Sequence, residues 1–275
     1  MLELFALGMR TPYMAHTFLV KIIKIVIFLL AVSLVGFCLL KNIQDFNKEL
    51  PIENSPTVSE INDIQSVEIN GKEYVFAWIQ VTRTENLFLH PNFEERYTLQ
   101  ESIEKYGCIN LTSGGFYSEA NSPIGLFISE AEIISNKDSN NLFNGYFTLT
   151  KNGEAAISKD YSGEPVRIGL QAGPILIQNG QIQRLVLAND KMARRIVVAL
   201  TKEGNIYFIT FYNEESVFVG PLLADLPLLV SNIQNKFDIE FISALNLDGG
   251  AASAFYNQEI QLSELTPIGS FFCEK

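Results

Sequence analysis

The run "IEFISALNLDGG", residues 239 to 250, constrains the fold more than any other stretch of this chain. From Phe241 to Leu247 it is mostly apolar, without the strict alternation of a half-buried strand. A strand built from it has two faces to cover, so it belongs in the middle of a sheet that carries packing layers on both sides. The run then stops on Asp248, Gly249 and Gly250. Such an ending is either a turn in which the aspartate bonds its own backbone, or a place where a ligand lies against bare main chain beside a carboxylate.

The surrounding chain supplies the rest of such a sheet. "SVEINGKEYVFAWIQV" sets Asn70-Gly71 between two alternating runs, a strong hairpin signal. "GYFTLTKNGEAAIS" predicts a second hairpin at Asn152-Gly153, and "RRIVVALTKEGNIYFITFY" a longer one near Glu203-Gly204. "CINL" reads as a strand, and two strand-like runs flank Ala172-Gly173-Pro174. "YTLQESIEKYG" predicts a short helix, with Thr98 and Glu101 in capping-box spacing and Gly107 as its stop. "GPLLADLPLLVSNIQNKF" has helical spacing at Leu222, Leu226, Leu229 and Ile233, and Pro227 demands a kink or a later start. The predicted class is α+β, a mixed, strand-rich sheet with a few interspersed helices, preceded by one N-terminal transmembrane helix.

That transmembrane segment is residues 18–40. No charge occurs from Ile25 to Leu40, and the whole stretch reaches about 20 residues, the length a bilayer core needs. It is either a cleaved signal peptide or a retained anchor. No small-residue cleavage site follows it, and Phe37 precedes Cys38 where a lipoprotein signal carries Gly or Ala, which favours the anchor. Arg10, Lys21 and Lys24 precede the apolar core and hold residues 1–17 in the cytoplasm. Residues 41–64, polar and with two prolines, read as a linker, and residues 65–275 form a domain outside the cytoplasm. The expected localisation is therefore single-pass membrane.

Charge and rare residues narrow the chemistry. The chain carries 20 Lys and Arg against 31 Asp and Glu. Removing Arg10, Lys21, Lys24 and Glu3 leaves 17 against 30, a net charge of −13 beyond residue 40. Such a domain repels a phosphate backbone, so nucleic acid is not an expected partner. Of two histidines only His90 lies beyond the apolar run, and "LFLHPNF" reads as a loop rather than the seat of a base. No metal-ligand constellation and no cofactor motif emerges. Cys108 and Cys273 are either a disulfide or two buried thiols.

Three glycine motifs follow strand-like runs: "LTSGGFY" (111–117), "LQAGPIL" (170–176) and "LNLDGGAASAFY" (245–256). Each alone is a turn signal. Their order, with "SPIGLFI" (122–128) and an arginine opening the strand that leads to Gly204, resembles the phosphodiester glycosidase family over about residues 105–272. The matching positions are Gly114, Gly115, Phe116 and Tyr117, then Pro123, Gly125 and Leu126. Gln171, Gly173, Pro174 and Leu176 follow, then Arg195, then Leu247, Asp248, Gly249, Gly250 and Ser253. Ser113 stands where the family has Asn, and Ala252 where it has the first of two serines.

The resemblance implies a hydrolase that cleaves a sugar from a phosphodiester. The substrate would be a sugar phosphodiester or phosphorylated glycan of the cell envelope. It further implies Asp248 as the carboxylate at the anomeric carbon and Arg195 as the phosphate clamp, since a guanidinium fork binds two phosphate oxygens at once. Arg194 is the rival clamp, because neighbours on a strand face opposite ways. Ser113, Gly114, Gly115, Gln171, Gly173, Gly249, Gly250 and Ser253 would then contact substrate, the glycines through bare N–H groups. Phe116, Tyr117, Phe255 and Tyr256 are candidates for a wall against which a sugar stacks. The two departures raise a second expectation, a non-catalytic module that binds phosphorylated glycans.

Overall fold

Hairpin turns set the topology of residues 65–275, the part of the chain that the computed structural model describes. The expected anchor and linker lie outside the described residues, among which no helix is long and apolar enough to cross a membrane. β1 (Ser66–Ile69) and β2 (Lys72–Val81) close on Asn70 and Gly71, at φ 52° and 73°. That is the two-residue turn whose twist suits a hairpin. β7 (Gly145–Leu149) pairs with β8 (Ala155–Ser158), and β12 (Arg195–Thr201) with β13 (Ile206–Tyr212), at the two other predicted turns.

A seven-stranded sheet runs β1-β2-β13-β12-β14-β10-β11, adding β10 (Ile175–Gln178), β11 (Gln181–Ile182) and β14 (Phe241–Asn246). A second sheet orders β16 (Gln261–Leu262), β15 (Phe255–Tyr256), β4 (Asn110–Ser113), β17 (Ser270–Glu274) and β3 (Leu87–Pro91). A third orders β6 (Glu132–Ser135), β5 (Phe127–Ser129), β9 (Ile168–Ala172), β7 and β8. The expectation of one mixed sheet is corrected on two counts. There are three sheets, and every strand pairing among the described residues is antiparallel. Parallel neighbours need crossovers of a dozen residues or more, and most links here are shorter turns.

The doubly buried strand is where its sequence demands. β14 lies between β12 and β10. On one side Leu245 and Leu247 join Ile196 and Val198 of β12 in a core shared with Phe147 and Leu170 of the third sheet and Phe255 and Phe272 of the second. On the other, Phe241 and Ala244 join Val197 and Ala199 beneath the second α-helix, α2 (Leu226–Phe237). Leu226, Leu229, Val230 and Ile233 are the buried face of α2, and Pro227 sits in its first turn, where no N–H is needed. The shorter helix, α1 (Leu99–Tyr106), carries the predicted reciprocal cap, Glu101 N to Thr98 Oγ1 at 3.3 Å and Thr98 N to Glu101 Oε2 at 2.8 Å. It ends at Gly107 in the left-handed conformation.

A smaller core of Leu99, Leu111, Ile268 and Phe271 packs with α1, and at its centre Cys108 and Cys273 form a disulfide, Cα atoms 5.3 Å apart. His90 is in β3, not in a loop, with its ring 4.1 Å from Tyr106 and 5.4 Å from Phe271. Burial, then the nearby Lys275, lowers its pKa to about 4, so at neutral pH it is an uncharged packing residue.

The disulfide spans 165 residues of sequence. Closing so long a loop restricts the unfolded chain, and replacing both Cys108 and Cys273 by Ser is expected to lower the unfolding free energy by about 4 kcal/mol. Urea titration of the two proteins checks this; an unshifted midpoint would show that the bridge adds nothing.

Candidate functional site

The three glycine motifs sit at the ends of β4, β9 and β14, one from each sheet, and the structure brings them together. Asp248 N donates to Gly114 O at 3.0 Å, and Ser113 Oγ donates to Asp248 O at 3.0 Å. Gly173 N donates to Asn246 O at 3.0 Å, Asn246 N to Pro174 O at 3.1 Å, and Asn246 Nδ2 to Gly173 O at 2.8 Å. Ser113, Gly114, Gly173 and Pro174, from distant parts of the chain, thus fix the main chain around Asp248.

Glycine is required here for close approach. A Cβ on Gly114 would stand 2.7 Å from Ser270 Oγ, one on Gly115 2.6 Å from Leu170 Cδ1, and one on Gly249 2.7 Å from Arg194 O. Gly250, at φ 67°, also needs the left-handed region. The amides expected to cradle a phosphate are already engaged. Gly114 N donates to Ser270 O at 2.8 Å, Gly115 N to Ser270 Oγ at 2.9 Å, and Gly250 N to Arg194 O at 2.8 Å. These glycines let three segments touch; they do not present an open ring of N–H groups.

Asp248 owes its position to an irregularity between β12 and β14. Leu247 N donates to Ile196 O at 2.9 Å, and the next bond is Gly250 N to Arg194 O. Between those bonds Arg195 stands alone opposite both Asp248 and Gly249, an extra residue of the kind that re-aims a side chain at a bulge. Asp248 keeps partial access to solvent. Protein nevertheless packs densely around its carboxyl, and this burial pushes the pKa well above the ordinary carboxylate range. Only the Gly249 N–H opposes the shift; neither arginine contributes to it.

The two arginines turn opposite ways. Arg195 does not meet Asp248 as a clamp. Its Nε donates to Pro221 O at 3.1 Å, and its Nη2 bonds Lys191 O and pairs with Asp190 Oδ1 at 3.3 Å. Asp190 in turn accepts from Leu223 N at 3.0 Å and Ala224 N at 2.8 Å, so the pair ties residues 190–195 to the segment leading into α2. Burial lowers the Arg195 pKa and Asp190 partly restores it. Arg194 is fully buried and reaches the aspartate motif instead. Its Nε donates to Ser253 Oγ at 2.7 Å, and its Nη2 to Ser253 O and to Ser263 O, the latter at 2.7 Å. Burial lowers its pKa to about 10, with Glu264 and then Tyr212 acting against the shift, so it stays a cation at neutral pH.

Of the remaining expected contacts, Gln171 is saturated by main chain. Its Oε1 accepts from Leu126 N at 3.1 Å and Asp138 N at 3.0 Å, and its Nε2 donates to Asp138 O at 2.6 Å and Phe143 O at 2.9 Å. An amide has no further strong bonds to give a substrate. Ser253 Oγ donates to Gly250 O at 2.6 Å and so is equally engaged. Phe255 is core, Tyr256 packs with the α1 cluster, and Tyr117 donates its hydroxyl to Pro267 O at 2.6 Å. Phe116, partly exposed like Tyr117 and Tyr256, is stacked on Phe143 with ring centroids 4.4 Å apart.

Asn246 and Phe143 are the residues that reading the sequence missed. Asn246 carried a signal, as a polar residue inside an apolar run; Phe143 carried none. A groove of about 700 Å³ lies elsewhere, lined by Thr201, Tyr207, Gln234, Asp238 and Glu240. Thr201 ends β12 and Arg195 begins it, a span of roughly 20 Å at strand rise, so groove and aspartate occupy opposite ends of the large sheet. Among the described residues no group of three or more His, Cys, Asp or Glu is placed to hold a metal ion.

Comparison with known proteins bears on this geometry. The phosphodiester glycosidase family profile matches residues 106–271. No curated protein matches the chain by sequence. The catalytic domain of zebrafish N-acetylglucosamine-1-phosphodiester α-N-acetylglucosaminidase, auto-inhibited by its pro-peptide, aligns with TM-score 0.59 at 14% identity, over 77% of this chain and 81% of its own. A hypothetical protein from Synechocystis aligns with TM-score 0.50 at 13% identity, over 76% of this chain and 60% of its own. At such identities the likeness is one of fold.

The raised pKa of Asp248 makes a stability prediction. A carboxyl whose folded pKa exceeds its unfolded one adds stability at acid pH that is lost as pH rises through the folded value. Asp248→Asn, which cannot ionise, is expected to melt several degrees above wild type at about pH 8, the difference closing toward about pH 4. Thermal melts across that range test it; equal melting at all pH values would contradict the burial of this group.

Proposed function

The chain belongs to the phosphodiester glycosidase family, and we propose that it hydrolyses the bond between a sugar anomeric carbon and the phosphate of a phosphodiester, with Asp248 as the catalytic carboxyl. The observation that carries this reading is the Asp248 carboxyl itself. Protein packs densely around it, and among the described residues no lysine or arginine pairs with it.

Breaking the bond from the anomeric carbon to the phosphate oxygen sends the electron pair out with a phosphate monoester. An oxocarbenium-like centre is left, and water adds to it and releases a proton. Phosphate is a good leaving group, so little proton donation is needed. What the transition state lacks is a negative charge beside the anomeric carbon. An ionised Asp248 is costly in the resting protein, because nothing compensates it. The developing sugar cation supplies that compensation and is absent from the neutral ground-state ring, so the interaction strengthens in the transition state. The same carboxylate takes the proton of the attacking water.

The phosphate is a separate matter. Arg195 has its Nε and Nη2 committed, so it can offer an anion only Nη1, and the two-pronged clamp is not preassembled. Arg194 acts as a positioning residue, holding Ser253 and through it Gly250 of the aspartate turn. Ser113, where the family has Asn, retains a bond to Asp248 O, which supports a working enzyme over an inert module. The apolar run 18–40 and its preceding positive charges support a tethered protein with this domain outside the cytoplasm, and the Cys108–Cys273 bridge supports an oxidising compartment. An envelope glycan or glycolipid is then the substrate class.

The test uses the full chain and a synthetic sugar 1-phosphodiester. Asp248→Asn is expected to lower kcat by about 100-fold to 1,000-fold. In wild type, kcat/KM is expected to rise with pH along a limb lying above the ordinary carboxylate range, because the working form is the ionised one. Undiminished turnover by Asp248→Asn would end the assignment.

A further inference from the structure

We propose that Phe143, backed by Phe116, is the platform on which the sugar ring stacks, and so a specificity-determining residue; this rests on the Asp248 site described above. Its position is fixed from two sides. Phe143 Cα lies 2.9 Å from the point where a Cβ on Gly173 would stand, and Gly173 is bonded to Asn246, two residues before Asp248. Phe116 follows Gly114 by two residues, and Gly114 O holds Asp248 N. The aromatic pair is thus tied to two of the motifs that converge on the carboxyl.

The platform is also built to be rigid. Asn140 Oδ1 accepts from Leu142 N at 2.8 Å and Phe143 N at 3.0 Å, and the Gln171 amide holds Phe143 O at 2.9 Å. The rings lie 24° from parallel. Phe116 packs against the main core, so Phe143 is the outer member, partly exposed, and Leu142 beside it is 41% exposed. A fixed apolar surface tied to the motifs that hold the Asp248 carboxyl suits a flat ligand with an apolar face and no formal charge on that face. The C–H face of a pyranose meets that description. The negative face of an aromatic ring also favours the positive charge that grows on the sugar in the transition state.

The decisive measurement is fluorescence of the full chain carrying Phe143→Trp. Trp78 is the single native tryptophan, and it packs with Phe76, Tyr207 and Phe237 on the α2 side of the large sheet. The introduced indole is then the reporter at the site. Titration with α-glucose 1-phosphate, α-galactose 1-phosphate and N-acetyl-α-glucosamine 1-phosphate is expected to give a saturable emission change with at least one, absent in wild type. On a diester that wild type cleaves, Phe143→Ala is expected to raise KM about tenfold with little change in kcat, and Phe143→Leu, which keeps the apolar bulk, not to restore it. No emission change with any of the three, or an unchanged KM in Phe143→Ala, overturns the platform. The failures separate: emission change without turnover of any diester removes the hydrolase reading and leaves the platform, whereas turnover without emission change removes the platform alone.

Discussion

A carboxyl group densely packed by protein, with no ion-pair partner among the described residues, is the constraint on which this structure turns. Asp248 lies where three sheets meet, and the glycines at that junction bring the chain segments within contact of one another. A Cβ at Gly249 would stand 2.7 Å from the Arg194 carbonyl oxygen, so a side chain there forces those two segments to shift. Close packing therefore does more than hold the fold together. It sets the electrostatics of the one acidic group that the arrangement isolates, and the fold tolerates that cost because the strand leading to Asp248 is buried on both faces.

The contrast between the arginines follows from the same geometry. Arg194 and Arg195 are adjacent where β12 begins, and their side chains turn opposite ways, Arg194 toward the aspartate motif and Arg195 toward the segment leading into α2. The resemblance to a family points at Arg195; alternation along a strand left Arg194 open as a rival. Only the pairing of β12 with β14, and the extra residue opposite Arg195, decides which guanidinium reaches the aspartate motif. Arg194 arrives there fully buried, and it bonds a hydroxyl and two carbonyls rather than the carboxyl. A bond to Asp248 would lower the very pKa that the packing raises.

Local signals were readable where local physics decides the outcome. The Asn70-Gly71 turn, the Thr98 and Glu101 cap, the start of α2 around Pro227 and the central placement of residues 241–246 all follow from neighbours a few residues apart. The partition into three antiparallel sheets was not readable, because strand partners far apart in sequence carry no local mark. The motif glycines are marked in the sequence, but the partners of their amides are not: those of Gly114 and Gly115 bond Ser270 and that of Gly250 bonds the Arg194 carbonyl. Gln171 illustrates the same limit, since whether an amide is free depends on how many carbonyls and N–H groups the folded chain brings to it.

This shifts where recognition of a substrate can reside. With the glycine amides, Gln171, Ser253 and most of Arg195 engaged in holding the junction, the polar groups of the motifs act chiefly on the protein. On the proposed reading, the Asp248 carboxyl and the partly exposed Phe116 and Phe143 are what remains to face a ligand. On that reading, a site of that composition would read a sugar by shape and by the charge that appears on it during bond cleavage, more than by a dense set of hydrogen bonds in the ground state. Binding would then be modest before reaction and strongest at the transition state, which is the distribution of affinity that accelerates a reaction.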